Sequence, residues 1–182
     1  ISIAIIGAGP AGLASALYAR RAGHRPAIFE RFDKAAPVGS GLMLQPTGLT
    51  VLEDLGLLPA MLALGHKIHR LAGTDARTGR VVLDVRYGAQ KSERFGLAVN
   101  RPALFDVLHD EVLRQGIEIV TDAQIEAVAA GAEGIDLIGR HARKVGRFDL
   151  AADTSGARSK LRHLARVPAE PKPLPYGAFW AM

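Results

Sequence analysis

The sequence contains no cysteine, which excludes a disulfide scaffold, a cysteine-ligated zinc or iron–sulfur centre and a thiol nucleophile. Aromatic residues make up only 5% of it, too few to interleave with basic side chains as base-stacking surfaces require, so nucleic acid is not an expected partner. No apolar run approaches the roughly 20 residues needed to cross a bilayer, so no membrane span is expected. The chain enters a strand-like run directly at Ile1, which reads as the absence of a signal peptide, and these features together suit the cytoplasm. There is no repeat of fixed period and no low-complexity tract.

What is present is ordinary in bulk and informative in spacing. Apolar residues make up 48% and charged residues 23% of the 182 positions, enough to bury a core. The net charge of +5 and a pI near 9.9 favour anionic partners such as phosphates and carboxylates. The 20 glycines then say where such a partner sits.

Residues 1–6 form an almost wholly apolar run, the mark of a strand buried on both faces of a parallel sheet. Gly7-Ala8-Gly9-Pro10-Ala11-Gly12 follows, then a helix-forming stretch over 13–22 that Gly23 stops, then a second strand over 25–29 ending at Glu30. A lone G-x-G-x-x-G is weak evidence, but strand, loop, helix, strand and terminal acid together form a dinucleotide-binding β-α-β unit. Gly7 permits the tight turn, Gly9 lets the backbone approach a diphosphate, and Gly12 allows helix and strand to pack closely. The helix N-terminus adds unpaired N–H groups and about half a positive charge. Glu30 falls where a carboxylate accepts hydrogen bonds from a ribose diol and repels the 2′-phosphate of NADP, which leaves FAD or NAD. Arg31 beside it offers a partner for phosphate, with a solvated surface arginine as the more ordinary reading.

Residues 31–96 interrupt the repeat with a Gly/Pro-rich loop holding Gly39-Ser40-Gly41, a helix over 47–55, and antiparallel segments near 68–73 and 80–85, and Gly39 to Leu44 also reads as an ordinary turn and core strand. A strand over 97–100 leads to Pro102, which opens a helix over 103–114, and 117–120 is a third buried strand. Between 123 and 147 no helical period survives, and 125–129, 134–138 and 144–145 read as a β-meander. Residues 148–152 form a fourth parallel strand that runs into Thr154-Ser155-Gly156. A helix over 159–166, a Pro-rich link to Pro175 and a strand from Tyr176 complete the expectations. Right-handed crossovers give the sheet order third, second, first, fourth, with the switch point between the first and fourth strands. Both glycine-bearing turns, Gly7–Gly12 and Ser155-Gly156, then converge on one crevice.

Several segments resemble the group A flavoprotein monooxygenases, the para-hydroxybenzoate hydroxylase-like family. Ile5-Ile6-Gly7-Ala8-Gly9-Pro10-Ala11-Gly12-Leu13 with Phe29-Glu30-Arg31 is similar to its first FAD fingerprint. Val38-Gly39-Ser40-Gly41-Leu42-Met43-Leu44-Gln45-Pro46 resembles its flavin-facing loop, and Asn100-Arg101-Pro102-Ala103-Leu104 its R-x-x-L segment. The stretch from Phe148 through Ser159 to Arg162 resembles the strand and D-G-x-x-S-x-x-R motif, and Pro175-Tyr176-Gly177-Ala178-Phe179-Trp180 the first strand of the substrate domain. The resemblance implies an α/β, Rossmann-like FAD-binding domain of the glutathione-reductase type, with a β-meander crossover and the start of an antiparallel substrate domain. It divides the chain into a β-α-β and flavin-facing segment (1–74), substrate-domain-like insertion strands (75–96), the remainder of the FAD domain (97–166) and the start of the substrate domain (167–182).

The same resemblance implies FAD as cofactor, NADH or NADPH as co-substrate, and hydroxylation of a small aromatic substrate with O2. Gly7, Ala8, Gly9, Pro10, Ala11 and Gly12 would hold the diphosphate, Glu30 and Arg31 the adenosine end, Arg101 the cofactor, and Gly41 the flavin side. Ser155 and Gly156 would shape the shared turn. Two departures stand out. Ser155 occupies the position of the family's aspartate, with Asp153 two residues earlier, so a carboxylate role is lost or moved. The family's later Gly-Asp motif is not in the sequence, so the remainder of a longer polypeptide, or a second chain, is expected to complete the FAD site. The arrangement leaves room for a homodimer.

No nucleophile or acid–base pair stands out, and none is required where a cofactor carries the chemistry. His66 and His69 form an H-x-x-H without an acid at ligand spacing, which reads as solvated loop and gives no metal site. The basic clusters Arg140/Arg143/Lys144/Arg147 and Arg158/Lys160/Arg162/Arg166 read as a solvated hairpin and as phosphate-facing or surface charge. A non-catalytic nucleotide-binding module that has lost hydroxylase chemistry is the alternative that Ser155 motivates.

Overall fold

The computed structural model describes residues 1–36, 41–88, 94–164, 172, 174 and 175. In chain order its elements are β1 (Ser2–Ile6), α1 (Pro10–Arg21), β2 (Arg25–Phe29), β3 (Gly41–Leu44), α2 (Pro46–Asp54), α3 (Leu58–Ala63), β4 (Gly65–Ile68), β5 (Arg70–Thr74), β6 (Val81–Arg86), β7 (Gly96–Asn100), α4 (Arg101–Arg114), β8 (Glu118–Val120), β9 (Ile125–Gly131), β10 (Gly134–Gly139), β11 (Lys144–Phe148) and β12 (Leu150–Asp153). They fall into two units, residues 1–37 with 108–182, and residues 38–107.

The first unit holds a parallel sheet in the order β12-β1-β2-β8, as the crossover rule requires. Successive side chains on a strand point to opposite faces. Ala4 and Ile6 of β1 and Ala27 and Phe29 of β2 therefore share one face, where they form a core with Ile125, Leu137 and Leu161. Phe148 meets Phe29 edge to face, with ring centroids 5.5 Å apart. The other face carries Ile3, Ile5 and Ile28, all buried, and α1 packs on β1 and β2 through its buried Leu13, Ala16 and Leu17. No α-helix connects β8 to β12. The antiparallel meander β9-β10-β11 stands there instead, pinned on its outer side by Arg147 and Lys144 on Asp136.

Registration places the strand ends level with one another. Ile6 is paired with Phe29 and with Asp153, and Phe29 with Val120. The ladder continues one residue further, since the N–H groups of Gly7, Glu30 and Thr154 donate to the carbonyls of Phe29, Val120 and Ile6 at 2.8, 2.8 and 2.9 Å. Both expected turns thus leave the sheet at the same edge.

The second unit contains the antiparallel sheet β3-β7-β4 and the two-stranded ribbon β5-β6. The ribbon is clasped by Arg70, whose guanidinium donates to both carboxylate oxygens of Asp84 at 2.7 and 3.0 Å.

Several expectations need correction. Residues 41–44, favoured as a flavin-facing loop with a core strand as the alternative, form strand β3, because Gly41–Leu44 finds a full antiparallel partner in Leu97–Asn100, a long-range pairing whose partner no local pattern encodes. Helix α1 begins at Pro10 rather than at 13, with Pro at the first turn, where its fixed φ and missing N–H cost nothing. Phe148 closes β11, and the fourth parallel strand starts at Leu150. The helix expected over 159–166 shortens, among the described residues, to a single 3₁₀ turn at Arg162–Leu164. There the Ser159 hydroxyl oxygen accepts the Leu161 N–H at 3.0 Å, and such side-chain bonds compete with a helical start. The strand expected from Tyr176 and the loop residues Gly39 and Ser40 lie outside the described residues. Helix α3 was not foreseen.

Candidate functional site

The loop after β1 is shaped by packing of backbone on backbone. Gly7 has φ +109°, a conformation L side chains rarely adopt, and a Cβ there would stand 2.8 Å from Thr154 O and 2.9 Å from Ser155 Cα. A Cβ on Gly12 would collide with Gly7 O and lie 2.8 Å from the Thr154 hydroxyl oxygen. Gly9 differs from both: a Cβ there meets nothing within 4 Å. Its backbone borders open space at the start of α1, where it is the N-cap without a side-chain cap bond, and the first turn carries no acid. The first N–H groups of a helix lack intrahelical partners, so this end offers donors and positive potential to an anion.

Glu30, at the end of β2, is buried. One carboxylate oxygen accepts the Ala8 N–H at 2.8 Å and the other accepts the Phe32 N–H at 3.2 Å. Glu30 therefore fastens the glycine loop to the end of the neighbouring strand. A carboxylate has about four acceptor positions, so two bonds leave capacity for a diol. Arg31 is exposed and stacks over the Phe32 ring, 4.6 Å from its centroid.

The second turn is built from side chains. The Thr154 hydroxyl lies 3.0 Å from both the Ile6 and Gly7 carbonyl oxygens and donates towards them, so it laces the two turns together. Asp153 accepts the Ser155 N–H at 3.0 Å and the Ser155 hydroxyl at 2.6 Å on one oxygen, and the Ser159 hydroxyl on the other. Burial works to raise the Asp153 carboxyl, but the two serine hydroxyls and the Ser155 N–H outweigh it and hold it below the ordinary carboxylate range. Arg162 donates to Ala157 O at 2.7 Å and closes the segment. Gly156 lies in the left-handed region, with φ +92°.

Gly7, Ala8, Gly9, Pro10, Ala11, Gly12, Glu30, Arg31, Ser155 and Gly156 all belong to the first unit, and its sheet brings the two turns to one edge. Gly41 and Arg101 belong to the second, where Gly41 is paired with Asn100, the residue before Arg101. Arg101 is exposed at the start of α4. Sequence reasoning missed Thr154 and the anchoring by Asp153. The available signal was a run of hydroxyl and carboxylate residues directly after a buried strand. No group of three or more histidine, aspartate or glutamate residues suited to a metal occurs among the described residues. No helix among them is long and apolar enough to cross a membrane.

An open Gly9, donors at the start of α1 and a buried acid one strand away fit the diphosphate and ribose of a dinucleotide. Comparison with known proteins agrees. The family described as "FAD binding domain" matches residues 1–173. The chain is 33% identical over 96 residues to 3-amino-4-hydroxybenzoate 2-monooxygenase of Streptomyces cremeus, covering 53% of this chain and 24% of that protein. It is 29% identical over 175 residues to aurachin C monooxygenase/isomerase of Stigmatella aurantiaca, covering 95% and 44%. Its fold superimposes on the tetrameric form of 2-methyl-3-hydroxypyridine-5-carboxylic acid oxygenase with a TM-score of 0.73, at 24% identity, over 89% of this chain and 41% of that one. The chain spans less than half the length of each of these proteins.

Proposed function

Since the chain belongs to the FAD binding domain family, we propose that it is the N-terminal, FAD-holding part of a monooxygenase that hydroxylates a small aromatic substrate with NADH or NADPH and O2. The observation that carries this reading is the shared edge at which the open Gly9 loop meets the Thr154–Gly156 turn. A relative named 3-amino-4-hydroxybenzoate 2-monooxygenase supports the substrate class. Gly7 to Gly12 hold the diphosphate at the start of α1, and Glu30 takes the ribose diol while fixing Ala8. Arg31 supports the adenosine end. Arg101 and Gly41 serve the flavin end, and Ser155 and Gly156 shape the second turn.

Bound FAD supplies the redox and oxygen chemistry. The residues of this chain bind it, orient it and exclude water, so no nucleophile or acid–base pair is demanded of them. Residues 75–96 and 167–182 contribute to a substrate domain, and the remainder of the polypeptide, or a second chain, completes the FAD site. A cytoplasmic homodimer is the setting in which we place it.

The test is purification of the full-length polypeptide. We expect a yellow protein with flavin absorption that oxidises NADH or NADPH in step with hydroxylation of a small aromatic substrate. A colourless protein that takes up no added FAD overturns the reading. Ser155 favours a second one, a nucleotide-binding module without hydroxylase chemistry. Flavin uptake with no coupled product across a panel of small aromatic compounds, acidic and neutral, would favour it.

A further inference from the structure

The Ser155 hydroxyl has one proton, and the structure commits it. It lies on Asp153, 2.6 Å away, while the same carboxylate oxygen takes the Ser155 N–H at 3.0 Å. The other Asp153 oxygen takes the Ser159 hydroxyl proton. The Ser159 oxygen accepts the Leu161 N–H. An ionised carboxylate accepts and never donates, so each serine proton points inward, and Ser155, exposed, presents only lone pairs outward. Its Cα adjoins Gly7, close enough that a Cβ on that glycine would stand 2.9 Å away. The residue that carries this acceptor therefore adjoins the glycine loop.

We propose that Asp153 is a positioning residue that fixes the Ser155 hydroxyl as an obligate acceptor for a hydroxyl of the cofactor's sugar or polyol chain. The inference rests on the FAD reading above. A serine free to rotate would offer either its proton or its lone pairs to a ligand, and would divide its population between the two. With its proton held, Ser155 is preorganised to receive an O–H donor, without adding a second negative charge beside the diphosphate. Asp153 keeps its charge occupied by two hydroxyls and an N–H, and touches no ligand itself.

The experiment is FAD titration of the full-length apoprotein, followed by flavin fluorescence, with wild type, Ser155→Ala, Ser155→Thr, Asp153→Ala and the Ser155→Ala/Asp153→Ala double variant. The loss of one hydrogen bond predicts about tenfold weaker FAD binding in Ser155→Ala, and the freed rotation of the hydroxyl a smaller loss, about twofold, in Asp153→Ala. Because the two residues form one device, the double variant should bind no worse than the weaker single. Ser155→Thr, which keeps the hydroxyl, should bind as wild type does. Multiplying losses in the double variant, or wild-type affinity in Ser155→Ala, overturns the proposal while leaving the FAD reading intact. Failure of the wild-type apoprotein to bind FAD removes both. Should Asp153→Ala fail to fold, the contrast between Ser155→Ala and Ser155→Thr decides the matter: equal affinities overturn the proposal, and a loss confined to alanine supports it.

Discussion

Between Gly7 and Gly12 the chain is held largely by what its residues lack, whereas between Asp153 and Ser159 it is held by side chains. In the first loop, two missing Cβ atoms let the turn, the helix start and Thr154 pack onto one another. In the second, one carboxylate gathers two hydroxyls and an N–H, and one threonine hydroxyl reaches across to the first loop. Steric fit of this kind has no proton to lose and tolerates no added atom. A carboxylate clasp tolerates substitution better but depends on its charge. The two turns leave the sheet at one edge with different vulnerabilities.

The comparison is broken most severely at Gly12. A valine there would drive its side chain into the Gly7 carbonyl and the Thr154 hydroxyl, and overpacking against backbone costs about 3 kcal/mol, the upper end of the usual range. Gly12→Val should therefore lower the denaturation midpoint of the FAD-free full-length protein, as well as its FAD uptake. Melting at the wild-type temperature would show that the loop has slack. Gly9→Val is the matched control. Nothing lies within 4 Å of its Cβ position, and its φ of −72° suits any L residue. The FAD-free protein should melt as wild type does, while FAD uptake is abolished because the new side chain occupies the space the diphosphate needs. Loss of folding together with binding would place Gly9 in the core instead.

Glu30 is a side chain on which the first loop leans, and it sharpens the contrast. Removing its carboxylate leaves the Ala8 N–H without its acceptor, a loss of about 1–3 kcal/mol for a buried group. Glu30→Ala should weaken FAD binding by that order and also lower the melting temperature of the FAD-free protein. A carboxylate serving the ribose alone would lower affinity and leave the melting temperature untouched. Glu30→Gln, which keeps one acceptor oxygen, should fall between wild type and alanine in both measurements.

These differences also explain which parts of the molecule could be read in advance. Steric requirements for glycine are local: strand, G-x-G-x-x-G, helix and terminal acid announce themselves within thirty residues, and the crossover rule then fixes β12-β1-β2-β8. The meander was legible because glycine spacing erased every helical period between 123 and 147. What depends on distant partners was not legible. β3 exists because Leu97–Asn100 lies alongside it, over fifty residues away. Thr154 matters because its hydroxyl meets carbonyls 148 and 147 positions earlier in the chain. The helix expected from Ser159 yields to a bond between that serine and Asp153, a competition visible only once the turn has its shape. Glu30 was read for its acid and position, yet its grip on Ala8 follows from the register of β1 on β2.

The smallest expected effect concerns the opposite end of β12, and it tests whether charge is what distinguishes the second region. Asp149 accepts the Ser2 N–H at 2.6 Å and the Ser2 hydroxyl at 2.8 Å, tying the start of β1 to the strand that carries the second turn. Those two bonds hold its carboxyl below the ordinary carboxylate range. A folded-state pKa depressed in this way stabilises the fold above the unfolded-state value, near 4, and the contribution disappears as the pH falls through the lower folded-state value. Asp149→Asn should therefore melt slightly below wild type at neutral pH. The gap should close on acidification, as wild-type Asp149 takes up its proton and comes to resemble the variant. The Gly12→Val deficit, being steric, should stay constant over the same range. A gap between Asp149→Asn and wild type that persists unchanged into acid would mean that shape, and not charge, anchors this strand, and the distinction between the two turns would narrow to the Asp153 clasp alone.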